Sequence, residues 1–297
     1  MADHQHISPF TAYLHAKTEM DKLPLNEWIT LRYCNRWSGI LVMDGKYVAI
    51  KGYEQKIPFI YGIDYLTHDI PAGLLAPSEN YDSFLKYFRT LKEIGYNLQI
   101  VVCDDRGGLK EALLAVFPNA RLQLCQNHYL ENIRQALGIR TQEQYQDFFS
   151  ALHQAFNVTV SYQDREVLLR DIYYRYGRQD EGVARILIEI MRRKNDLFAT
   201  DEYIDLKAPS TTNIIEAYNS HIQGRLKSVK GFQSFHSAKR WFNAWMLRRR
   251  TKRLTDCRKP FKHLNGKMSL QMSIKKEEKI EDALREIYGE KTPEIKR

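Results

Sequence analysis

The run Leu98-Gln99-Ile100-Val101-Val102-Cys103 constrains this chain most, because its nearly continuous apolar character reads as a strand covered on both faces. It ends on Asp104-Asp105 and turns at Gly107-Gly108. A helical pattern from Leu109 to about Phe117 stops at Pro118, and Arg121 to Cys125 forms another short strand. Upstream, three extended runs follow one another: Ile40 to Ile50 around a central Asp-Gly, Ile57 to Tyr65, and roughly Ile70 to Ala76. They predict an antiparallel meander. Between meander and buried strand, Phe84, Leu85, Phe88, Leu91 and Ile94 recur at helical spacing until Gly95. This order predicts an α/β fold with a mixed sheet flanked by helices.

The remaining segments divide by pattern. Residues 1–38 show no clear period and read as an N-terminal segment or linker, and 39–125 form the first part of the core. Residues 126–207 are helical throughout and read as an inserted all-helical subdomain. Residues 208–262 return to the core, with Ser210 to Asn213 offering N-caps for a helix that passes Glu216. A further helix carries Trp241 and Trp245, which read as packing residues, and Arg248-Arg249-Arg250. Residues 263–297 form a charge-dense tail, helical or disordered.

Charge is unevenly distributed. From Lys207 to His263 there are 14 Lys or Arg against two acids, Glu216 and Asp256, so this stretch carries +12 in a chain whose total is +9. Such concentration suits a phosphate-rich partner, most simply nucleic acid, with a solvated basic face as the alternative. Arg225, Lys227 and Lys230, together with Arg248, Arg249 and Arg250, are the candidate phosphate contacts. Four cysteines, Cys34, Cys103, Cys125 and Cys257, form no regular disulfide framework and fit a reducing cytosol. The N-terminus lacks a secretory pattern, and no stretch approaches the ~18 apolar residues of a membrane span. The expectation is a cytoplasmic protein without a membrane partner.

Three carboxylates stand where a polar group needs a reason. Asp44 lies in the first strand, although Asp44-Gly45 reads equally as a hairpin turn. Asp104 follows the buried strand, where α/β sheets gather ligands, with a loop cap as the alternative. Glu216 sits near a helix start, where the helix dipole alone would favour an acid. Together they offer a rigid set of oxygen ligands for a divalent hard cation that leaves positions open for phosphate and water. Two such ions can activate an attacking hydroxyl and stabilise a leaving oxygen with no covalent nucleophile.

The order of these elements resembles the ribonuclease H-like DDE transposases, and more narrowly the Mutator-like group with its bacterial and archaeal insertion-sequence relatives. The segments that carry the resemblance are LVMDGKYV, VVCDDRGGLKEALLAVFPNARLQLCQNH and TTNIIEAYNSHIQGRLK, within roughly residues 35–255. The second is the most specific: an acid, a helix, Phe117-Pro118, and a short strand ending in Cys125-x-x-His128. In the third, Thr211, Thr212, Asn213, Glu216 and Asn219 match.

The resemblance implies a ribonuclease H-like core and a catalytic, metal-binding triad of Asp44, Asp104 and Glu216. Relatives commonly have Gly where Asp105 stands, so Asp104 is favoured over its neighbour. Implied further are Mg²⁺, with Mn²⁺ as a substitute, cleavage of double-stranded DNA at transposon ends, and transfer of the 3′-hydroxyl into target DNA. A homo-oligomer assembled on that DNA and a nucleoid-associated location go with this activity. Cys125 and His128 are half of a tetrahedral zinc site with no partner at a recognisable spacing. On the residues alone they read as a buried Cys beside a hydrogen-bonded His rather than as ligands; the resemblance implies a role near the active site, organising it or contacting DNA, and with Asn213 and Asn219 they are the candidate supporting residues. Relatives usually carry a separate DNA-binding region ahead of the core, and residues 1–38 contain no ligand set for one. The competing expectation is a truncated or domesticated copy that binds DNA without cutting it; a structure-specific nuclease on the same fold is a third.

Overall fold

The computed structural model describes residues 8–289 apart from Ser228 and Lys230. A five-stranded sheet lies at its centre, built from β1 (Ile40–Val48), β2 (Ile57–Asp64), β3 (Gly73–Leu75), β4 (Ile100–Cys103) and β5 (Arg121–Leu124) in the order β3-β2-β1-β4-β5. The first three strands pair antiparallel, whereas β4 pairs parallel to both β1 and β5. The mixed α/β architecture expected from the strand and helix order is the one observed, and it has the arrangement of a ribonuclease H-like fold.

Asp44 does not turn the chain. It lies inside the continuous strand β1, opposite Tyr61 of β2. Eight consecutive residues of β1 pair with β2, and that ladder outweighs the local Asp-Gly turn preference. In the parallel register Val42 faces Val102; two residues further along, Asp44 is level with Asp104, just past the end of β4. Strand alternation then assigns the two acids to the face shared by Val42 and Val102.

Helices cover both faces of the sheet. On one side pack α3 (Tyr81–Glu93) and α4 (Leu109–Val116), with Leu41, Met43, Val101 and Cys103 beneath them. Asn80 caps α3 by accepting from the Ser83 amide. Gly108 begins α4 at φ +78°, and a Cβ there would meet the Tyr81 backbone at 2.9 Å, so only glycine fits the turn that follows Asp104.

The segment after β5 contains α5 (Gln126–Ala136), α6 (Gln146–Ala155), α7 (Tyr162–Ile172), α8 (Glu181–Arg192) and two single-turn helices, α9 (Lys194–Leu197) and α10 (Ala199–Glu202). Its apolar residues, among them Leu130, Phe148, Leu169 and Leu187, continue the cluster beneath α3 and α4. The return leg runs beside β5. Buried Gln123 and Gln126 donate to the Leu197 carbonyl at 2.7 and 2.8 Å, and Gln123 accepts from the Thr200 amide at 3.0 Å. These bonds satisfy the buried glutamine side chains together with the Leu197 carbonyl and Thr200 amide of the return leg.

On the opposite face lie α11 (Asn213–Leu226) and α12 (Phe235–Thr251). Ile215, Tyr218 and Ile222 recur on one side of α11 and bury against Val42, Tyr61 and Val102. Each such side chain stabilises the packing by roughly 1.5–3 kcal/mol. Trp245 is buried edge-on to Phe59 and Tyr61, and Trp241 is partly buried beside Phe232, so both are packing residues.

Residues 8–38, which show no readable period, contain two helices, α1 (Pro9–Lys22) and α2 (Asn26–Tyr33). The second joins α13 (Ser269–Ser273) and α14 (Ile280–Tyr288) in a third cluster built on Ile29, Leu247, Leu270 and Ile287. Thus the tail is helical over 280–288 and packed; residues 290–297 lie outside the described residues. Among the described residues no helix is long and apolar enough to cross a membrane.

Candidate active site

Asp44 lies inside β1 at the level where β4 ends, Asp104 just past the carboxyl end of β4, and α11 brings Glu216 to the His128 that also faces Asp104. Asp44 and Asp104 line a narrow cleft. Oδ1 of Asp44 accepts from the Gly45 amide at 2.7 Å, and Oδ2 accepts from the Asn219 amide at 2.6 Å. Asn219 in turn accepts from the Tyr61 hydroxyl at 2.9 Å, so a sheet residue and a helix residue orient the first carboxylate together. Burial pushes the Asp44 carboxyl up to about 6; the Gly45 amide opposes this, and the nearby charges of Asp104 and Glu79 add to it.

Asp104 is set differently. Nδ1 of His128 lies 2.7 Å from its Oδ1, yet the pair is not aligned for a hydrogen bond, and Oδ1 is buried without a hydrogen-bond partner among the described residues. Nε2 of His128 is 3.8 Å from Oε1 of Glu216. The imidazole therefore stands between the second and third carboxylates. Glu216 itself is half exposed. Asn219 lies one turn further on the same helix, so α11 delivers both the third carboxylate and the amide that holds the first.

The Thr212 hydroxyl joins these groups. It occupies the N-cap position of α11 but makes no capping bond. Instead it lies 3.2 Å from Cys125 Sγ, 3.3 Å from His128 Nδ1 and 3.3 Å from Glu216 Oε1. The Thr212 amide also points to Cys125 Sγ at 3.4 Å. Beside them the Gln126 amide donates to the Ser210 carbonyl, tying the start of α5 to the entrance of α11.

Ligand atoms of Asp104, Cys125 and His128 all fall within 4.8 Å of one another, a donor set that zinc would accept. Sγ of Cys125 is buried and already receives hydrogen bonds from Thr212, which favours its reading as a support. The carboxylates suit a hard cation instead. Asn213 accepts from Asn127 at 3.3 Å, next to His128, and among the described residues it makes no hydrogen bond to Asp44, Asp104 or Glu216.

Asp105 has another task. It forms a two-pronged ion pair with Arg193, of which the Nη2–Oδ1 contact measures 2.7 Å, and this pairing holds its carboxyl below the ordinary range. Together with Lys110–Asp196 at 2.7 Å it docks the helical insertion beside the cleft. Of the two adjacent acids, Asp105 is thus engaged with Arg193, while Asp104 lines the cleft with Asp44.

The basic residues divide. Arg225, Lys227 and Arg248 are exposed, and Lys230 lies outside the described residues. Arg249 is largely covered, with its guanidinium 4.4 Å from the centre of the Tyr218 ring. Arg250 corrects the sequence expectation of a phosphate contact, because it is completely buried. It pairs with the equally buried Asp69 at 2.8 and 2.9 Å and donates to Asn26 and Thr30, both at 2.8 Å. The Arg-Arg-Arg run does not lie on one face: successive helical residues project about 100° apart, so only some can meet solvent.

Sequence reasoning did not single out Thr212 as a site residue, although it lies in the Thr-Thr-Asn segment. Nor did it mark Tyr61 or Arg193, whose roles depend on contacts across the fold.

Residues 27–252 match the family described as transposase, Mutator family. Among curated relatives, the transposase for insertion sequence element IS1201 of Lactobacillus helveticus is 25% identical over 202 residues, covering 66% of this chain and 53% of the relative. The transposase for insertion sequence element IS256 in transposon Tn4001 of Staphylococcus aureus is 21% identical over 242 residues, covering 80% and 61%. The chain therefore spans only part of the length of these relatives. With most of its residues inside the family match and its fold and acid order as described, the chain belongs to the Mutator family of transposases.

Proposed function

We propose that this chain cuts DNA at the ends of a mobile element and joins the freed 3′-hydroxyl to target DNA, using Asp44, Asp104 and Glu216 to hold divalent cations, Mg²⁺ or in its place Mn²⁺. The observation that carries this reading is the convergence of Asp104, His128 and Glu216, with Asp44 held by Asn219 from the same helix as Glu216. The residues fit the ions: among the described residues Oδ1 of Asp104 is a buried acceptor with no hydrogen bond, beside a second carboxylate in the same cleft. When bound, the cations supply Lewis-acid activation of the attacking hydroxyl and of the leaving oxygen.

The chain's own groups do the rest. Asn219 and the Gly45 amide fix both oxygens of Asp44, leaving little rotational freedom to that carboxylate. His128 and Thr212 position Asp104 and Glu216 relative to one another. Arg225, Lys227 and Arg248, all exposed, contact the phosphates of double-stranded DNA, and the protein acts as a homo-oligomer assembled on that DNA.

The test uses duplex DNA from immediately outside either end of the coding sequence. Nicking and strand joining with Mg²⁺ or Mn²⁺, abolished by Asp44→Asn and by Glu216→Gln, are the expected results. Salt-sensitive binding without cleavage under any metal would instead identify a DNA-binding protein, and hydrolysis without joining a nuclease.

A further inference from the structure

Beside the proposed carboxylate site stands a cation with no assigned role. Arg106 and Glu79 line the same cleft as Asp44 and Asp104. Nε of Arg106 is 3.2 Å from Oε2 of Glu79, and the same oxygen accepts from the Tyr47 hydroxyl at 2.7 Å. Glu79 is nearly buried, with 7% of its side chain exposed, and its other oxygen occupies the space above Gly45 that any Cβ there would fill. Glu79 is thus fixed by its surroundings. Arg106 approaches Glu79 through Nε alone, as an ion pair rather than an aligned hydrogen bond; 41% of its side chain is exposed, and among the described residues its two terminal nitrogens make no hydrogen bond.

A guanidinium presents a planar fork of donors that matches a phosphate. Pairing with Glu79 on the Nε side leaves the outer prong available. A free arginine so close to two acids would fold onto them and compete with any cation they hold; Glu79 prevents this by supplying its counter-charge from the other side. Lysine in this place would have no inner edge to be gripped by.

We propose that Arg106 contacts a phosphate of the DNA strand being cut, next to the reacting one or on it, and that Glu79 is the positioning residue that aims it. The proposal rests on the reading of Asp44, Asp104 and Glu216 as the cleavage site.

The experiment compares wild type, Arg106→Ala, Arg106→Lys and Glu79→Gln on the duplex DNA bordering the coding sequence, with single neutral methylphosphonates placed at successive phosphates around the cut. Thermal melting first establishes that each variant is folded. Arg106→Ala is expected to slow single-turnover cleavage about 100-fold, with little recovery in Arg106→Lys. Glu79→Gln should slow it about tenfold, with no added effect on top of Arg106→Ala. At one phosphate the methylphosphonate should slow the wild type yet leave Arg106→Ala no slower, a coupling that a loop staple would not produce.

Additive losses at every phosphate, or Arg106→Ala cutting at the wild-type rate while Asp44→Asn is inactive, would overturn the proposal and leave the triad standing. If the wild type binds but does not cut, the triad reading fails. Arg106 is then decided by binding, where its removal should lower the salt dependence of the affinity by about one phosphate contact and an unchanged slope would sink it. A wild type that neither binds nor cuts fails both.

Discussion

The side-chain amide of Asn219 donates to Asp44 at 2.6 Å while its carbonyl accepts from Tyr61 at 2.9 Å, so one amide couples β1, β2 and α11. Asn219→Ala leaves the buried Tyr61 hydroxyl without its acceptor and the Asp44 carboxylate free to rotate. Cleavage is expected to fall about 10- to 100-fold and stability by roughly 1–3 kcal/mol. Paired rate and melting measurements on the same preparation check this. Asn219→Asp should be worse for activity, since it sets two acids against each other.

Adjacent acids should respond differently to the same change. Asp104→Asn is expected to abolish cleavage, by at least about a thousandfold, because it alters the carboxylate beside His128. Asp105→Asn breaks the pair with Arg193, which is largely at the surface, so activity should stay within about tenfold of wild type. Arg193→Ala should reproduce the Asp105→Asn effect. Equal loss at both positions would contradict the division of roles.

Arg248 and Arg250, two residues apart, separate binding from stability. Arg250→Met leaves Asp69 charged and buried without its partner, and should lower stability by about 3–5 kcal/mol. Arg248→Ala should leave stability within about 0.5 kcal/mol and weaken DNA affinity, with a shallower salt dependence. Melting curves and salt titrations of binding report the two effects separately.

The Asp44 carboxyl, raised to about 6 by burial, makes the metal-free protein pH-sensitive. The groups facing it are Asp104, Glu79 and Arg106, with Asn219 and Tyr61 as neutral neighbours. Because the folded value lies above the unfolded one, the fold is favoured while Asp44 is protonated, and that advantage is lost as pH rises through about 6. Asp44→Asn should therefore melt higher than wild type at pH 8 without metal, by ~1–3 kcal/mol in stability, and the two should converge below pH ~4. Added Mg²⁺ should stabilise the wild type alone and narrow or reverse the order.

Much of this was legible from residue patterns. Val101, Val102 and Cys103 announced a buried strand because both faces of a central parallel strand are covered, and Asp104 followed from where that strand ends. Ambiguity at Asp44 was real, because the pairing with Tyr61 that keeps it in a strand involves a residue 17 positions away. Helices α1 and α2 were illegible for a related reason. Trp28 and Leu31 of α2 are exposed and apolar, while Asn26 and Thr30 are buried and polar, so the usual periodicity is inverted. Arg250 inverted it again, since nothing local distinguishes it from Arg248.

The Asp69–Arg250 pair also bears on how far a cooperatively packed unit extends beyond the matched span. Ser269 and Ser273 both donate to Asp69, and Asn26 accepts from Arg250; all three lie outside the span 27–252 over which the family match runs. Cutting the chain back to that span would strip an interior charge pair of three of its hydrogen-bond partners and remove α13 and α14 from the cluster over Leu247. Inherited similarity and cooperative folding therefore have different borders here. A fragment that keeps this buried pair intact runs at least from before α2 through α14, because the segments flanking the matched span close over it.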